Sequence, residues 1–164
     1  MRHALAFLVA FALPATAMAA SGQSSRTSGS AAATAVVPLT LQHWFGALDF
    51  GKFAAGSAGT VKVDPVSGAG SVTGGTAFVT GSTTGMDYFL ATGDPSRRIS
   101  IVTGSGTVTS GANAMTFTTT PMLSSGYLPS GGSGYFTVGG TLNVGAGQAA
   151  GSYSGSYTVT VAYN

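Results

Sequence analysis

The chain has 164 residues, of which 44% are hydrophobic and 10% aromatic, and this composition excludes a polar disordered chain. Its formal net charge of +2 arises from six basic and four acidic residues, too few and too scattered for a nucleic-acid-binding surface. The sequence contains no cysteine, which excludes disulfides and thiolate metal sites. We therefore expect one domain of ordinary size, stabilised by its core and its backbone hydrogen bonds.

Residues 1–19 have the three parts of an export signal. Arg2 gives a short basic start, residues 4–13 are apolar, and small residues follow up to Ala19. The apolar run is too short to span a membrane comfortably, and no later segment is long and apolar enough to do so. We expect cleavage after Ala19 or Ala20 and a protein of the periplasm, the cell surface or the extracellular space.

Residues 20–35 are predicted to form a flexible arm. They are mainly Ser, Gly, Ala and Thr and have no apolar stripe. Towards the end of the arm, Ala31, Ala33, Ala35 and Val37 alternate with other residues, so this part could join a sheet as a strand with small side chains.

Residues 36–164 are predicted to form an all-β domain. Short segments rich in Thr and Val alternate with Gly-rich turns, among them predicted turns at Gly74-Gly75 and Ser110-Gly111, and no 3.6-residue pattern occurs. This pattern indicates an antiparallel sandwich or barrel, and we favour the sandwich because nothing suggests a ligand-sized lumen. The predicted strands are residues 36–41, 48–52, 60–63, 76–80, 88–91, 98–102, 114–119, 135–138, 141–144 and the last segment, 151–164.

The last segment has the clearest strand pattern in the chain. Every second position from Tyr153 to Tyr163 is a Tyr, Val or Gly, and the positions between them are Ser, Thr or Ala. Period two over this length predicts a half-buried strand. A long, flat apolar edge invites association, so the strand must pair either within this molecule or with the next one.

Few residues offer catalytic or ligand chemistry. His43 could serve a Ser–His–Asp set, but no serine lies in a Gly-x-Ser-x-Gly turn before a helix, so we expect a partly exposed structural histidine beside a core Trp44.

Asp64 and Asp94 precede prolines and are predicted turn residues. Residues 145–150 match Gly-x-Gly-x-x-Ala, but a strand follows, which predicts a loop rather than a dinucleotide site. We predict no catalytic, cofactor or metal residues.

The aromatic side chains allow two interpretations. They could form a platform for sugars, or each tyrosine could pack its ring on a strand and expose its hydroxyl to water, which is the more common arrangement. The residues concerned are Tyr88, Tyr127, Tyr135, Tyr153, Tyr157 and Trp44.

Three motifs together resemble the bacterial secreted domain of unknown function 4402 family. They are Leu48-Asp49-Phe50-Gly51, then Val138-Gly139-Gly140-Thr141-Leu142, then the alternating segment that ends in Tyr163-Asn164. The ending is also similar, more distantly, to spore-coat U and archaic chaperone–usher pilin domains. That resemblance implies an immunoglobulin-like sandwich lacking one strand, completed by an N-terminal strand of the next subunit. It implies no catalytic residues.

These observations predict an exported, non-enzymatic structural protein, a pilin-like or surface-coat subunit that assembles through β-strand pairing. Its expected partners are further copies of itself, joined by strand addition, and a periplasmic chaperone or outer-membrane assembly machinery. The donor would be residues 21–37, although their alanines bury little area. The alternative is a monomeric secreted module that binds a glycan or protein through its tyrosines and the Gly-rich loop 124–134. An exported hydrolase would require a cleft that joins His43 to an aspartate and a nucleophile.

Overall fold

A computed structural model of the chain describes residues 28–164. The predicted export signal and the first part of the predicted arm lie outside the described residues. Residues 28–39 contain no strand, and all of them except Leu39 are exposed. Residues 35–164 group into one unit, which carries all the strands described below.

Within the described residues, eleven antiparallel strands build two sheets. The larger sheet has the strand order β1-β4-β9-β7-β6-β10, with β2 beside β9 and β3 beside β2; the smaller has the order β11-β5-β8. The all-β antiparallel sandwich that the sequence predicts is confirmed. The strands are β1 (Thr40–Asp49), β2 (Phe53–Val63), β3 (Gly70–Phe78), β4 (Gly85–Thr92), β5 (Arg98–Thr103), β6 (Gly106–Ser110), β7 (Asn113–Pro121), β8 (Ser125–Tyr127), β9 (Ser133–Val144), β10 (Ser154–Ser156) and β11 (Val159–Tyr163).

Strand β9 is the centre of the larger sheet. Its first half, residues 133–138, pairs with β4, and residues 140–144 pair with β2. On its other edge, residues 138–142 pair with β7. The prediction of two separate strands here was wrong, because Gly139 and Gly140 do not interrupt the ladder but let neighbouring backbone approach it closely.

The core lies between the sheets and has two parts. One surrounds Phe117 and Leu142, and the other surrounds Phe136 and Ile101. Both parts draw on β9, whose inward side chains alternate along the strand as a period of two requires. The largest side chains that are fully buried are Phe136, Leu142, Val61, Val63 and Val138.

The predicted strands near the start of the domain are displaced. Strand β1 begins at Thr40 rather than Val36 and continues to Asp49. The predicted strand 48–52 is the end of β1 followed by a turn, in which the Gly51 N–H donates to the Asp49 carboxylate over 2.8 Å. Gly51 has a φ of +74°, which an extended strand does not allow.

Other predicted boundaries were also wrong. The Gly74-Gly75 pair is not a turn between strands but lies inside β3, where β2 carries an irregularity between Ala55 and Gly59. Strands β6 and β8 were missed, because they are short and carry few apolar residues. By contrast, the predicted turn at Ser110-Gly111 joins β6 and β7.

The last segment is divided between the two sheets. Its predicted alternation is confirmed: Tyr153, Tyr157 and the later odd positions are half-buried, and the even positions are exposed. It is not one strand, however, because β10 pairs with β6 in the larger sheet and β11 with β5 in the smaller. The chain crosses between the sheets at Tyr157 and Thr158, so the segment has ladder partners within its own molecule.

Candidate functional site

A cleft of about 1110 Å³ opens into the sandwich. One wall is the end of β1 and the start of β2, residues 47–55. The opposite wall is β10 with the loop before it, residues 148–157. The cleft therefore lies where the last segment leaves the larger sheet for the smaller one.

Both walls carry strand edges that are paired on one side only. Within the described chain, β1 pairs only with β4 and β10 only with β6. Residues 53–55 of β2 pair only with β3, because β9 joins β2 from Gly59 onwards. Each unpaired edge leaves backbone N–H and C=O groups free to bond a further strand.

The floor of the cleft is apolar. It is formed by buried or half-buried side chains of four strands and of the turn after β1, which also belong to or pack against the core. An extended segment in the cleft would therefore find apolar surface below it and free ladder groups beside it. The floor residues are Phe50, Phe89, Val108, Met115, Phe117 and Leu142.

A polar cluster around Asp87 interrupts this apolar floor. The carboxylate is buried, and its Oδ1 lies 2.7 Å from Nε2 of His43 on β1. The hydroxyl of Tyr157 donates to Oδ2 over 2.8 Å, and the N–H of Tyr88 donates to Oδ1 over 2.9 Å. Because His43 lies on β1, the strand whose end forms one wall, and Tyr157 belongs to the other wall, Asp87 links the two across the floor.

Tyr157 has a perturbed acidity in this position. Burial raises the pKa of its hydroxyl well above the ordinary value, and the hydrogen bond to Asp87 and the negative charge of that carboxylate raise the pKa further. The neutral phenol is therefore the form that the folded protein holds.

This pKa predicts a loss of stability at alkaline pH. Above about pH 10 the unfolded chain releases the Tyr157 proton while the folded protein keeps it, so unfolding becomes more favourable as the pH rises. One proton lowers the free energy of unfolding by at most about 1.4 kcal/mol per pH unit, and by less here because Tyr157 is only half-buried. Denaturant unfolding of the protein and of Tyr157→Phe at pH 8 and 11 measures this. A stability difference between the two that does not change with pH would contradict it.

The wall formed by the last loop is held by its own hydrogen bonds. The Tyr153 hydroxyl donates to the Ala149 carbonyl over 2.7 Å and accepts from the Gln148 side chain over 2.9 Å. The N–H of Gly147 donates to the Gly56 carbonyl over 2.9 Å, which ties this loop to β2. Residues 145–150 thus form a loop, as predicted, and it borders one end of the cleft.

The structure brings together some of the residues that the sequence singled out and separates others. His43 is partly exposed, as expected, but its contact with Asp87 was not predicted, because 44 residues separate the two. No serine or threonine hydroxyl bonds to His43 within residues 28–164. Trp44 is 53% exposed, so its predicted place in the core was wrong. Strand alternation could have suggested that His43 and Phe89 face inwards. Nothing in the local sequence, however, indicates that β1 pairs with β4, and this pairing brings His43 to Asp87.

The two aspartates predicted at turns lie outside the cleft. Oδ1 of Asp64 accepts from the N–H groups of Ser67 and Val66, both at 2.9 Å, and these bonds lower the pKa of the Asp64 carboxyl. Asp94 opens the turn before β5, where its carbonyl accepts from the N–H of Arg97 over 3.3 Å. Both residues make hydrogen bonds within local turns, as the sequence predicts.

The described residues contain no group of three or more His, Cys, Asp or Glu side chains placed to hold a metal ion. Within the same part of the chain, no helix has the length and apolar character needed to cross a membrane.

The fold and the cleft define an all-β antiparallel domain whose sandwich, within residues 28–164, leaves strand edges unpaired beside an apolar floor. The chain belongs to the family described as domain of unknown function (DUF4402), whose model matches residues 39–163. The family predicted from the three sequence motifs is thereby confirmed. Comparison with curated proteins and with solved structures found no match. The more distant resemblance to spore-coat U and pilin domains stays a prediction.

Proposed function

We propose that this protein is an exported, non-enzymatic structural subunit that assembles by adding a β-strand of another copy to its cleft. The observation that carries the proposal is the cleft itself, with an apolar floor between two walls whose strand edges are each paired on one side only. A strand that enters such a groove gains ladder hydrogen bonds along its edges and buries alternate side chains on the floor.

The donor in this proposal is the arm of a neighbouring copy. Residues 28–39 contain no strand and are almost entirely exposed, so they are free of ladder pairing. Their alternating Ala31, Ala33, Ala35 and Val37 present small side chains at every second position. Small side chains bury little area each, so most of the affinity would come from backbone hydrogen bonds, which every residue of the arm can supply.

A hydrogen bond at the start of the domain favours donation to another copy over self-completion. The Tyr163 hydroxyl donates to the Val37 carbonyl over 2.7 Å and accepts from the Asp94 N–H over 2.6 Å. Val37 is thus held beside Tyr163, the last residue of β11, whereas the cleft wall on β11's side ends at Tyr157. The arm would have to leave this contact and reverse direction to fill its own cleft.

Two complementary variants test the proposal. A variant lacking residues 21–35 keeps the cleft and Val37 but has no donor, and Ala47→Trp places a bulky side chain in the cleft wall but keeps the arm. Each is expected to remain monomeric in size-exclusion chromatography with light scattering, whereas the unaltered protein forms oligomers. Mixed together, the two variants are expected to form a one-to-one complex, because one supplies the cleft and the other the arm.

A matched control separates blocking of the cleft from the effect of a surface tryptophan. Ala112→Trp carries the same change at an exposed position in the turn between β6 and β7, outside the cleft, and is expected to assemble like the unaltered protein. If the unaltered protein and both variants are monomeric at every concentration, and the mixture forms no complex, the proposal is wrong.

An exported assembly also implies partners before and during assembly. An open apolar cleft would aggregate if it were left uncovered, so a periplasmic chaperone or an outer-membrane assembly machinery would bind the subunit until the donor strand enters. Co-purification from the periplasm, compared between the unaltered protein and Ala47→Trp, measures whether such a partner recognises the cleft.

A further inference from the structure

Four aromatic side chains meet on the outer face of the larger sheet, on the side of β1 opposite the cleft. They are Trp44 and Phe45 on β1, Tyr88 on β4 and Tyr135 on β9, and we call them the aromatic patch. Trp44 is 53% exposed, Phe45 50% and Tyr135 61%. Large aromatic side chains usually bury their rings, so a contiguous exposed group of this kind marks a contact surface.

An irregularity in β1 creates the patch. His43 pairs with Phe89 and Phe45 with Tyr88, so Trp44 is an extra residue in the ladder and points outwards together with Phe45. The rings of Phe45 and Tyr88 are stacked 4.1 Å apart, and the Trp44 ring lies 6.0 Å from that of Tyr135 at an angle of 50°. The Trp44 ring also contacts that of Phe45 edge-to-face at 5.3 Å, and Trp44 and Tyr135 together present a tilted platform.

The size of the patch argues against an interface between two copies. Three half-exposed aromatic side chains and the edge of a fourth offer on the order of 400 Å² of accessible area, about half of what each partner buries in a stable interface. The patch is large enough for a few rings of a small or extended ligand.

The charge of this face restricts the ligand further. The outward positions next to the patch, Gln42, Leu90, Thr92 and Ser133, carry no charged side chain. The hydroxyls of Thr92 and Ser133 lie 3.1 Å apart and, with the amide of Gln42, line the patch with neutral hydrogen-bonding groups. An anionic ligand would find no cation here, and a purely apolar one would leave these polar groups without partners.

We propose that the aromatic patch binds a neutral carbohydrate. A pyranose ring has an apolar face of C–H groups, which stacks on the face of an aromatic ring, and a rim of hydroxyls, which exchange hydrogen bonds with neutral polar side chains. Trp44 and Tyr135 are the stacking residues, and Gln42 and Ser133 are the polar neighbours. The proposal does not depend on the cleft, because a monomer carries the complete patch.

The single tryptophan of the sequence gives a direct measurement. Because Trp44 lies in the patch, the tryptophan emission of the purified protein, excited beyond the absorption of tyrosine, reports on this surface alone. Titrations with soluble dextran, laminarin and galactomannan are expected to give a saturable change with at least one of them, and alginate, which is anionic, is expected to give none. Tyr135→Ala should weaken that binding about ten-fold, the loss of one stacked ring.

Matched variants distinguish the patch from exposed aromatic surface in general. Tyr127 is 72% exposed and lies on β8 in the smaller sheet, so Tyr127→Ala should change the affinity less than about two-fold. Trp44→Ala has no tryptophan emission, so its binding is measured by affinity electrophoresis in the same polysaccharides. The retardation of the unaltered protein should be lost in this variant. The unfolding midpoint of each variant confirms that it is folded.

Three results would each overturn the proposal. The first is that none of the neutral polysaccharides changes the Trp44 emission. The second is that Tyr127→Ala weakens binding as much as Tyr135→Ala does. The third is that the protein elutes as a dimer that Trp44→Ala converts to a monomer, which would assign the patch to contacts between copies.

Discussion

Asp87→Ala is expected to lower the free energy of unfolding by about 3 kcal/mol, because a buried carboxylate that accepts three hydrogen bonds would be lost from the centre of the cleft floor. The substitution leaves the half-buried Tyr157 hydroxyl without an acceptor. It also removes the link between the β1 wall and the wall formed by the last segment. Equilibrium unfolding in urea measures the effect as a lower midpoint with an unchanged slope.

The partners of Asp87 provide the controls for this prediction. His43→Gln is expected to cost about 1 kcal/mol or less, because the His43 side chain is 54% exposed and water replaces its bond to Asp87. Tyr157→Phe should fall between the two, since it removes one hydrogen bond and keeps the ring. An Asp87→Ala protein as stable as the unaltered one would show that the cluster does not hold the cleft walls together.

Gly139→Ala is expected to cost about 3 kcal/mol, which is large for a single methyl group, because backbone atoms already occupy the space that the methyl would need. A Cβ at this position would clash with the Val63 carbonyl oxygen and would lie 2.6 Å from the nitrogen of Pro65. Neither atom is at the end of a flexible side chain, so β9 would have to separate from the end of β2. Urea unfolding measures the loss of stability.

Gly131→Ala is the matched control for this substitution. No atom lies within 4 Å of the position that its Cβ would take, and its backbone does not adopt a positive φ. It should therefore change the stability by less than about 0.5 kcal/mol. Equal effects of the two substitutions would mean that the turn after β2 moves aside easily and that Gly139 is not needed for packing.

The Gly139 prediction gives a physical reason for one of the family motifs. The Gly-Gly pair of Val138-Gly139-Gly140-Thr141-Leu142 lies where β9 changes its partner from β4 to β2. A Cβ at Gly140 would lie 2.6 Å from the Thr118 carbonyl oxygen on β7, so both glycines admit neighbouring backbone. Sequence reasoning treated the pair as a strand boundary, because glycine more often ends a strand than continues through its middle.

The contrast between His43 and Trp44 shows what alternation alone cannot settle. A strict period of two predicts opposite faces for these neighbours, and this holds: His43 faces the cleft and Trp44 the solvent. The prediction that Trp44 lies in the core was wrong, because an extra residue in β1 turns Trp44 and Phe45 to the same, outward side. A bulge of this kind depends on the partner strand β4, which the local sequence of β1 does not contain.

The sequence by itself determined the all-β class, the family and the alternation of the last segment, because these depend on local period, turn residues and motif order. Only the tertiary structure decided that the last segment divides between two sheets, that Asp87 joins His43 to Tyr157, and that a cleft remains between unpaired edges. The physical reason is that a period of two fixes which side chains share a face. The choice of partner strands is made by contacts between distant residues, and those contacts form the cleft.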